Sequence, residues 1–266
     1  MVQVEVENIP SFLDAARKLC PGSGRAEYWF RGHARADWPL VPAIHREYDS
    51  VGERNLVHRF RLAARTRYAH CPDLRDVAAW LCLMQHWGLP TRLLDWTASP
   101  LTALYFAVVH DPKPGPAAAW VLAPGELNKS SGPKLDEIFQ LTGREAMKLL
   151  EPAFGRGQAN EEVVAAVGQE IDVRMTVQQG AFTLHGSSVP LESRAGAENY
   201  LAKFVIPEKS KTTFAEELRF LAVRRSTLFP DLANLASDLA NDWRLKPPKP
   251  VHENPAGPPG KEPRSD

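Results

Sequence analysis

The fold is decided by residues 85–107, which read QHWGLPTRLLDWTASPLTALYFA. This stretch places an amide, an imidazole, a guanidinium, a carboxylate and several hydroxyls between two strongly apolar runs. Each of these polar groups costs free energy when it is buried without a hydrogen-bond partner. A hydrophobic core requires the apolar runs but not the polar groups, so the stretch predicts a site that binds or organises something.

The pattern on either side of this stretch predicts two helices joined through the polar segment. Apolar residues at helical spacing predict a helix that Asp73 caps and that runs through Trp87, and Gly88 is expected to end it. Ser99 and Pro100 are typical of the N-cap and first turn of a helix, here over 100–110. The N-terminus of that helix favours an anion such as a phosphate, because its backbone N–H groups are unpaired.

Two other segments carry candidate site residues. An aromatic strand over 26–30 is predicted to end at Arg31 and Gly32, where the arginine is either aimed into a cleft or left on the surface. The segment 174–182, RMTVQQGAF, places the amides of Gln178 and Gln179 before a glycine. These amides either read the edge of a nucleobase or nicotinamide ring, or hold a β-turn.

The remaining pattern predicts an α+β fold in one domain. Strands are predicted over 117–122, 173–185 and 200–206, and helices over 53–70, 144–151, 161–170, 212–223 and 231–241. Strands and helices do not alternate regularly, which disfavours a doubly wound parallel sheet. Residues 1–245 form the expected domain, and the proline-rich tail 246–266 is expected to be disordered or to serve as a proline-rich ligand.

Composition narrows the class of protein. Thirty-two basic and 32 acidic residues cancel, so no overall field draws the chain to nucleic acid or to a membrane. Three cysteines are too few for a disulfide framework. No metal site is predicted, because the Cys and His residues do not form a set at the spacing of metal ligands. No membrane partner is expected, because no apolar run has the length of a span. The expected location is the cytoplasm.

Several polar patterns have more than one interpretation. Arg54, His58, Arg61 and Arg65 share one face of the predicted helix over 53–70, which is either a solvated face or a contact for nucleic-acid phosphates. Arg92 and Asp95 could simply pair with each other, and Thr97 and Ser99 could be capping groups. The whole stretch could then be a folding device.

The motifs together resemble the FRG domain family, whose Phe-Arg-Gly signature is here Phe30-Arg31-Gly32. The resemblance covers roughly residues 25–240 and is strongest over 85–107. It extends to further motif positions, namely Trp38, Leu40, Pro42, Arg46, Arg174, Gln179-Gly180, Phe182 and 228–232.

A weaker resemblance is to ADP-ribosyltransferases of the arginine–serine–glutamate type. Arg31 matches the arginine of that family, and 95–99 is similar to its Ser/Thr strand leading into a helix. Gln178 or Gln179 stands where that family has glutamate, so the carboxylate would come from Asp95 or Glu217. This resemblance implies NAD as substrate and a split, mainly antiparallel sheet flanked by helices. For some relatives it also suggests a bacterial toxin or defence setting.

The sequence therefore supports two hypotheses for the function of the chain. The first is an NAD-dependent ADP-ribosyltransferase-like enzyme that transfers to a nucleic acid or a protein, and the second is a non-catalytic nucleotide- or nucleic-acid-binding module. The sequence does not determine the oligomeric state. The predicted catalytic residues are Arg31, Asp95 and Gln179, and the predicted cofactor-binding residues are Arg31, Gln85, Arg92, Thr97, Ser99 and Tyr105.

Overall fold

The computed structural model describes residues 3–19, 27–131, 137–168 and 180–244. The fold is α+β, as predicted, with one mixed eight-stranded sheet flanked by helices. The predicted tail at 246–266 and the first part of the strand predicted over 173–185 lie outside the described residues. Within the described residues, no helix combines the length and the apolar character that a bilayer span requires.

Eight strands and ten helices are named here in chain order. The strands are β1 Gln3–Glu5, β2 Trp29–His33, β3 Leu93–Thr97, β4 Ala117–Leu122, β5 Phe139–Gln140, β6 Val163–Val167, β7 Gly180–His185 and β8 Leu201–Ile206. The helices are α1 Ile9–Leu19, α2 Ala43–Glu47, α3 Ser50–Ala64, α4 Val77–His86, α5 Pro100–Val108, α6 Pro124–Ser131, α7 Arg144–Leu150, α8 Lys211–Phe220, α9 Arg225–Leu228 and α10 Leu232–Asp242. Short 3-10 helices are Glu151–Phe154, Leu191–Ser193, Ala197–Asn199 and Glu208–Ser210.

The sheet is nearly divided in two between β2 and β3. The strand order is β1-β8-β4-β2-β3-β7-β6-β5, and only the two outermost pairs, β1–β8 and β5–β6, are parallel. The β2–β4 and β3–β7 pairs are each in register at five positions. The β2–β3 pair is in register at a single position, Phe30 opposite Thr97. The sheet is therefore mainly antiparallel, and its two four-stranded halves separate beyond this pair.

Local sequence signals set the elements around the division. Strand β4 has the predicted bounds, and Ser99 caps α5 by accepting a hydrogen bond from the Thr102 N–H at 3.3 Å. Helix α4 begins later than predicted, because Asp76 and not Asp73 is its N-cap, accepting from the Ala79 N–H at 2.9 Å. Gly88 ends α4 with a φ of 77°, a conformation that favours glycine.

Two predicted elements have to be corrected. The helix predicted over 161–170 is wrong, because Val163–Val167 form strand β6 between β7 and β5. This short run is rich in β-branched residues and is buried on both faces of the sheet, which favours a strand. The aromatic strand does not end at Arg31, since β2 continues to His33.

Helices cover the sheet, and α5 approaches it most closely. Helices α1, α5 and α8 pack on the half that contains β4 and β8, while α3, α4 and α7 pack near β6 and β7. A Cβ atom at Gly32 would lie 1.9 Å from the carbonyl oxygen of Ala103 and 2.6 Å from the backbone nitrogen of Ala107. The backbone of α5 therefore lies directly on β2, and this contact places the start of α5 beside the division of the sheet.

Candidate functional site

A cleft of about 410 Å³ lies where the two halves of the sheet separate. Its volume is in the range of sites for small molecules and cofactors. Strands β2 and β3, the loop after β2, the end of α4 and one face of α5 surround it. Its polar lining includes Arg31, His33, Arg46, Gln85, Asp95 and Thr97.

Arg31 spans the division from β2 to β3. Its Nη1 donates to the backbone carbonyl oxygen of Asp95 at 2.5 Å, and its Nε donates to Nε2 of His33 at 3.0 Å. A guanidinium has five N–H donors, so these contacts leave donors that can serve a ligand. The pKa of Arg31 is lowered overall. Burial lowers it most, the carboxylate of Asp95 opposes this effect, and the charge of Arg46 lowers it further.

His33 orients Arg31 as a neutral imidazole. Because Nε2 accepts from Arg31, the ring proton must be on Nδ1. His33 is buried, and burial together with the charge of Arg31 holds its pKa well below the ordinary value. Residues 31 and 33 are two apart on one strand, so both side chains lie on the same face of β2.

A chain of hydrogen bonds holds the carboxylate of Asp95. The Leu93 N–H donates to the Thr91 hydroxyl oxygen at 3.1 Å, and that hydroxyl donates to Oε1 of Gln85 at 2.5 Å. Oε1 of Gln85 is thus an acceptor, and its amide nitrogen faces Asp95 at 2.9 and 2.8 Å from the two carboxylate oxygens. Asp95 remains exposed at the cleft, with its orientation set by α4.

Arg46 and Asp111 add charge to the cleft. Arg46 lies near the end of α2, is exposed, and is close enough for its charge to lower the pKa of both Arg31 and His33. Asp111 forms an ion pair with Lys113, whose Nζ lies 2.9 Å from Oδ1. The cleft therefore contains two guanidinium groups, and one of its two carboxylates already has a cationic partner.

Two lysines hold the loop that forms one rim of the cleft. Nζ of Lys203 donates to the carbonyl oxygen of Ala36 at 2.7 Å, and Nζ of Lys211 donates to that of Ala34 at 3.1 Å. This loop places Trp38 at the cleft, edge-on to the ring of His33 with centroids 6.1 Å apart. Phe106 of α5 supplies another aromatic wall.

Arg92 does not belong to the cleft. Its Nε and Nη2 each lie 2.6 Å from an oxygen of Glu53, and its Nη1 donates to the carbonyl oxygen of Leu149 at 3.0 Å. Arg92 is 5% exposed, and both side chains of the pair are buried. It neither pairs with Asp95 nor forms a pocket wall, and it instead joins β3, α3 and α7.

The other predicted residues divide between the cleft and its surroundings. Thr97 lines the cleft, and its hydroxyl oxygen accepts from the Ser99 N–H at 3.1 Å, while Ser99 itself acts as the cap of α5. Tyr105 is buried on another side of α5, facing α8 and α10, where burial raises its pKa. Glu217 accepts from the Ile9 N–H at 2.7 Å and so caps α1. Gln179 lies outside the described residues, and its neighbour Gly180 lines the cleft.

Several cleft residues had no role in the sequence prediction. Trp38 and Arg46 are motif positions of the family resemblance with no predicted role in a site, and His33 directly follows the Phe-Arg-Gly signature. The alternation of a strand could have identified His33, because it shares a face with Arg31. Phe106 lies within residues 85–107 but carries no polar group that would mark it as a site residue.

The basic face of α3 is partly engaged in packing. The guanidinium of Arg61 lies 5.3 Å from the ring centre of Trp80 and 5.4 Å from that of Phe154. Its Nη2 also donates to the carbonyl oxygen of Leu74 at 2.5 Å. Arg54, His58 and Arg65 are exposed. Among the described residues, no three His, Cys, Asp or Glu side chains are grouped so that they could hold a metal ion.

Comparison with known proteins identifies one family. The family model of the FRG domain matches residues 26–115, which include β2, α2, α3, α4, β3 and α5. Comparison with the curated proteins and with the solved structures gives no significant match. The matched segment contains Arg31, Arg46, Gln85 and Asp95.

Proposed function

The chain carries an FRG domain, and we propose that the cleft of this domain binds a dinucleotide of the NAD type and transfers its ADP-ribose. One observation carries the proposal. Two guanidinium groups, Arg31 and Arg46, and the carboxylate of Asp95 line a single cleft at the division of the sheet. This combination suits a ligand that has a pyrophosphate beside a reactive sugar.

The two arginines suit the pyrophosphate. Guanidinium groups bind phosphate oxygens through paired, charge-assisted hydrogen bonds. Arg31 is held by His33 and by the backbone of Asp95, so its remaining donors have a fixed direction before the ligand binds. Arg46 is exposed at the same cleft and supplies the second positive charge.

Asp95 suits the reacting sugar. In the proposed transfer, the bond from ribose C1′ to the nicotinamide nitrogen breaks, and its electron pair leaves with nicotinamide. A nucleophilic atom of the acceptor forms the new bond to C1′, and the proton that it loses goes to the carboxylate of Asp95. The same carboxylate stabilises the positive charge that develops on the sugar. Gln85 keeps it oriented for both tasks.

The remaining parts of the proposal follow from the resemblance. Gln179 is proposed to contact the sugar or the base, which fits the position of Gly180 at the cleft. The acceptor is proposed to be a nucleic acid or a protein, in the toxin or defence setting that the resemblance suggests, and the proposed location is the cytoplasm, as composition indicates. A non-catalytic module would instead use the basic face of α3, where Arg61 already contacts Trp80 and Phe154.

Calorimetry with NAD tests the binding step. We expect Arg31→Ala and Arg46→Ala each to weaken binding by at least about tenfold, the effect of losing one charge-assisted contact. Arg35→Ala is the matched control. Arg35 lies in the rim loop after β2, is exposed, and pairs with Asp37 at 2.6 Å instead of lining the cleft. Absence of NAD binding by the wild type, or equal weakening in the control, would overturn the proposal.

A labelled-NAD transfer assay tests the reaction. Asp95→Asn keeps the size and the hydrogen-bond acceptor of the side chain but removes its charge. We expect this variant to bind NAD as the wild type does and to lose label transfer. If the wild type binds NAD but transfers no label, the enzymatic part of the proposal is overturned and the non-catalytic nucleotide-binding module is the better hypothesis.

A further inference from the structure

Helix α10 is attached to the protein through its polar residues. Asn234 and Asp238 are its only half-buried residues, and the rest of the helix is exposed. The apolar residues of the helix and its C-cap are open to solvent, with Leu232 at 83%, Leu235 at 44%, Leu239 at 52% and Trp243 at 85% exposure. This is the reverse of the usual arrangement, in which the apolar stripe of a surface helix faces the core.

The attachment consists of hydrogen bonds and ion pairs at four-residue spacing. Asn234 accepts from Nε of Arg225 at 2.5 Å, and Asp238 accepts from the backbone N–H of Ser226 at 2.8 Å. Asp242 accepts from two guanidinium groups, those of Arg219 at 2.9 Å and Arg224 at 2.6 Å. The side chains at 234, 238 and 242 therefore form one face, which is bound to α8 and α9.

The apolar residues form a second, separate stripe. Leu232, Leu235, Leu239 and Trp243 follow at offsets of three, four and four, so they lie along one side of the helix. At 3.6 residues per turn this stripe lies about 100° round the helix from the polar face. The polar contacts thus fix the helix in an orientation that exposes its leucines.

We propose that this stripe, Leu232, Leu235, Leu239 and Trp243, is the interface between two copies of this chain, paired helix to helix about a twofold axis. The proposal uses no residue of the cleft and is independent of the proposed function.

Charge favours a second copy as the partner. A twofold interface places the same surface on both sides, so any unpaired charge would face its own kind. Asp238 and Asp242 of α10 are engaged with α8 and α9, and Asp231 at its N-cap is bound to Asn234; on the other side of the stripe the positions beside the leucines are alanine or serine. The stripe is therefore neutral and complementary to itself.

The exposed area is also sufficient. At the exposures given, the four side chains present roughly 500 Å² of apolar surface, since an aromatic side chain contributes about 150–250 Å² and a leucine somewhat less. Two copies would bury on the order of 1,000 Å², the lower limit for a specific interface. A membrane surface fits less well, because an interfacial helix requires a basic polar face and that of α10 contains Asp231, Asp238 and Asp242.

Light scattering or analytical ultracentrifugation of the full chain tests this interface. We expect a dimer for the wild type at about 100 μM and dissociation on dilution into the low micromolar range. Leu235→Glu and Leu239→Glu should both be monomeric at the higher concentration, because each would place two carboxylates at the axis. Leu62→Glu is the matched control, since Leu62 is an exposed leucine on α3, and it should remain dimeric.

Each opposite result would overturn the proposal. The first is a wild type that stays monomeric at about 100 μM. The second is a Leu239→Glu variant that dimerises as the wild type does. A monomeric wild type that binds vesicles of anionic lipid would assign the stripe to a membrane. Circular dichroism shows whether the variants are folded, and both replaced leucines are exposed, so no core contact is lost.

Discussion

The side-chain nitrogen of Gln85 lies 2.9 and 2.8 Å from the two carboxylate oxygens of Asp95, which joins the end of α4 to the middle of β3. Gln85→Glu would place a second carboxylate against Asp95. We expect a loss of about 1 kcal/mol in the free energy of unfolding at pH 7, from the lost hydrogen bonds and the repulsion. Urea titration at pH 7 and pH 5 measures this.

Two further results should accompany this loss. The difference from the wild type should shrink at pH 5, because one carboxyl group of a close pair retains a proton. Asp95→Asn should restore the stability of Gln85→Glu, since it removes the like charge. A Gln85→Glu variant as stable as the wild type at pH 7 would mean that the two side chains do not interact.

The buried pair of Arg92 and Glu53 should contribute strongly to stability. Arg92→Met leaves Glu53 as an unpaired buried carboxylate, and we expect a loss of roughly 3–5 kcal/mol in the free energy of unfolding. The double variant with Glu53→Met should recover part of this loss, because no charge then remains buried. Lys148→Met is a control from the exposed pair Lys148–Glu145, where a cost below about 1 kcal/mol is expected. A similar loss of stability for Arg92→Met and Lys148→Met would contradict a strong contribution of the buried Arg92–Glu53 pair.

Stability should fall as the pH falls below about 6.5, the ordinary pKa of histidine. The folded protein lowers the pKa of His33, His45 and His185, in each case mainly through burial. Between the lowered and the ordinary pKa the unfolded chain binds more protons, so acid favours unfolding. Each such histidine should add a slope of up to about 1.4 kcal/mol per pH unit.

Urea unfolding at intervals from pH 7.5 to pH 5 measures this slope. His33→Gln should reduce it, because that variant removes one titrating group while the amide oxygen can still accept from Arg31. An unchanged free energy of unfolding across this range would show that the histidines are not held neutral.

Gly32→Ala should force α5 away from β2. The added carbon would overlap the backbone of Ala103 and Ala107, which cannot move aside as a side chain does. We expect a loss of at least about 1–3 kcal/mol, the usual cost of overpacking. Gly52→Ala is the control, because its nearest neighbour is a side-chain oxygen of Asp49 at 3.2 Å. Thermal unfolding compares the two, and equal melting temperatures would contradict the close approach.

The elements that could be predicted are those with strong local signals. Ser99 and Pro100 fixed the start of α5, and Gly88 fixed the end of α4. Strand β6 was missed because its apolar run does not by itself distinguish a strand from a buried helix. Its neighbours β5 and β7 determine its conformation, and that pairing is not visible in a local window.

The resemblance predicts that Arg31 and Asp95 share a site, whereas no local pattern predicts the hydrogen-bond partner of a residue when that partner is distant in sequence. Arg31 and Asp95 meet at the cleft across 64 positions, whereas Glu53, the partner of Arg92 that no local pattern indicates, lies 39 positions away. Arg92 and Asp95 are three apart at a strand, so they lie on opposite faces and cannot share a cleft. Tyr105 does not reach the cleft, because it lies on the side of α5 that faces α8 and α10, whereas Thr102, Ala103 and Phe106 line the cleft.

Lys203 and Lys211, the two lysines that hold the rim loop, lie outside the segment that the family model matches. The part of the chain that must fold to form the cleft is therefore longer than that segment. The matched segment ends at residue 115, whereas Lys203 and Lys211 come from β8 and α8, and β7 flanks β3 at five positions. A truncation after residue 115 would retain both cleft arginines yet remove the neighbours that keep the loop and β3 in place. The autonomous domain is therefore longer than its recognisable motif, and expression boundaries should be chosen from the sheet and not from the motif.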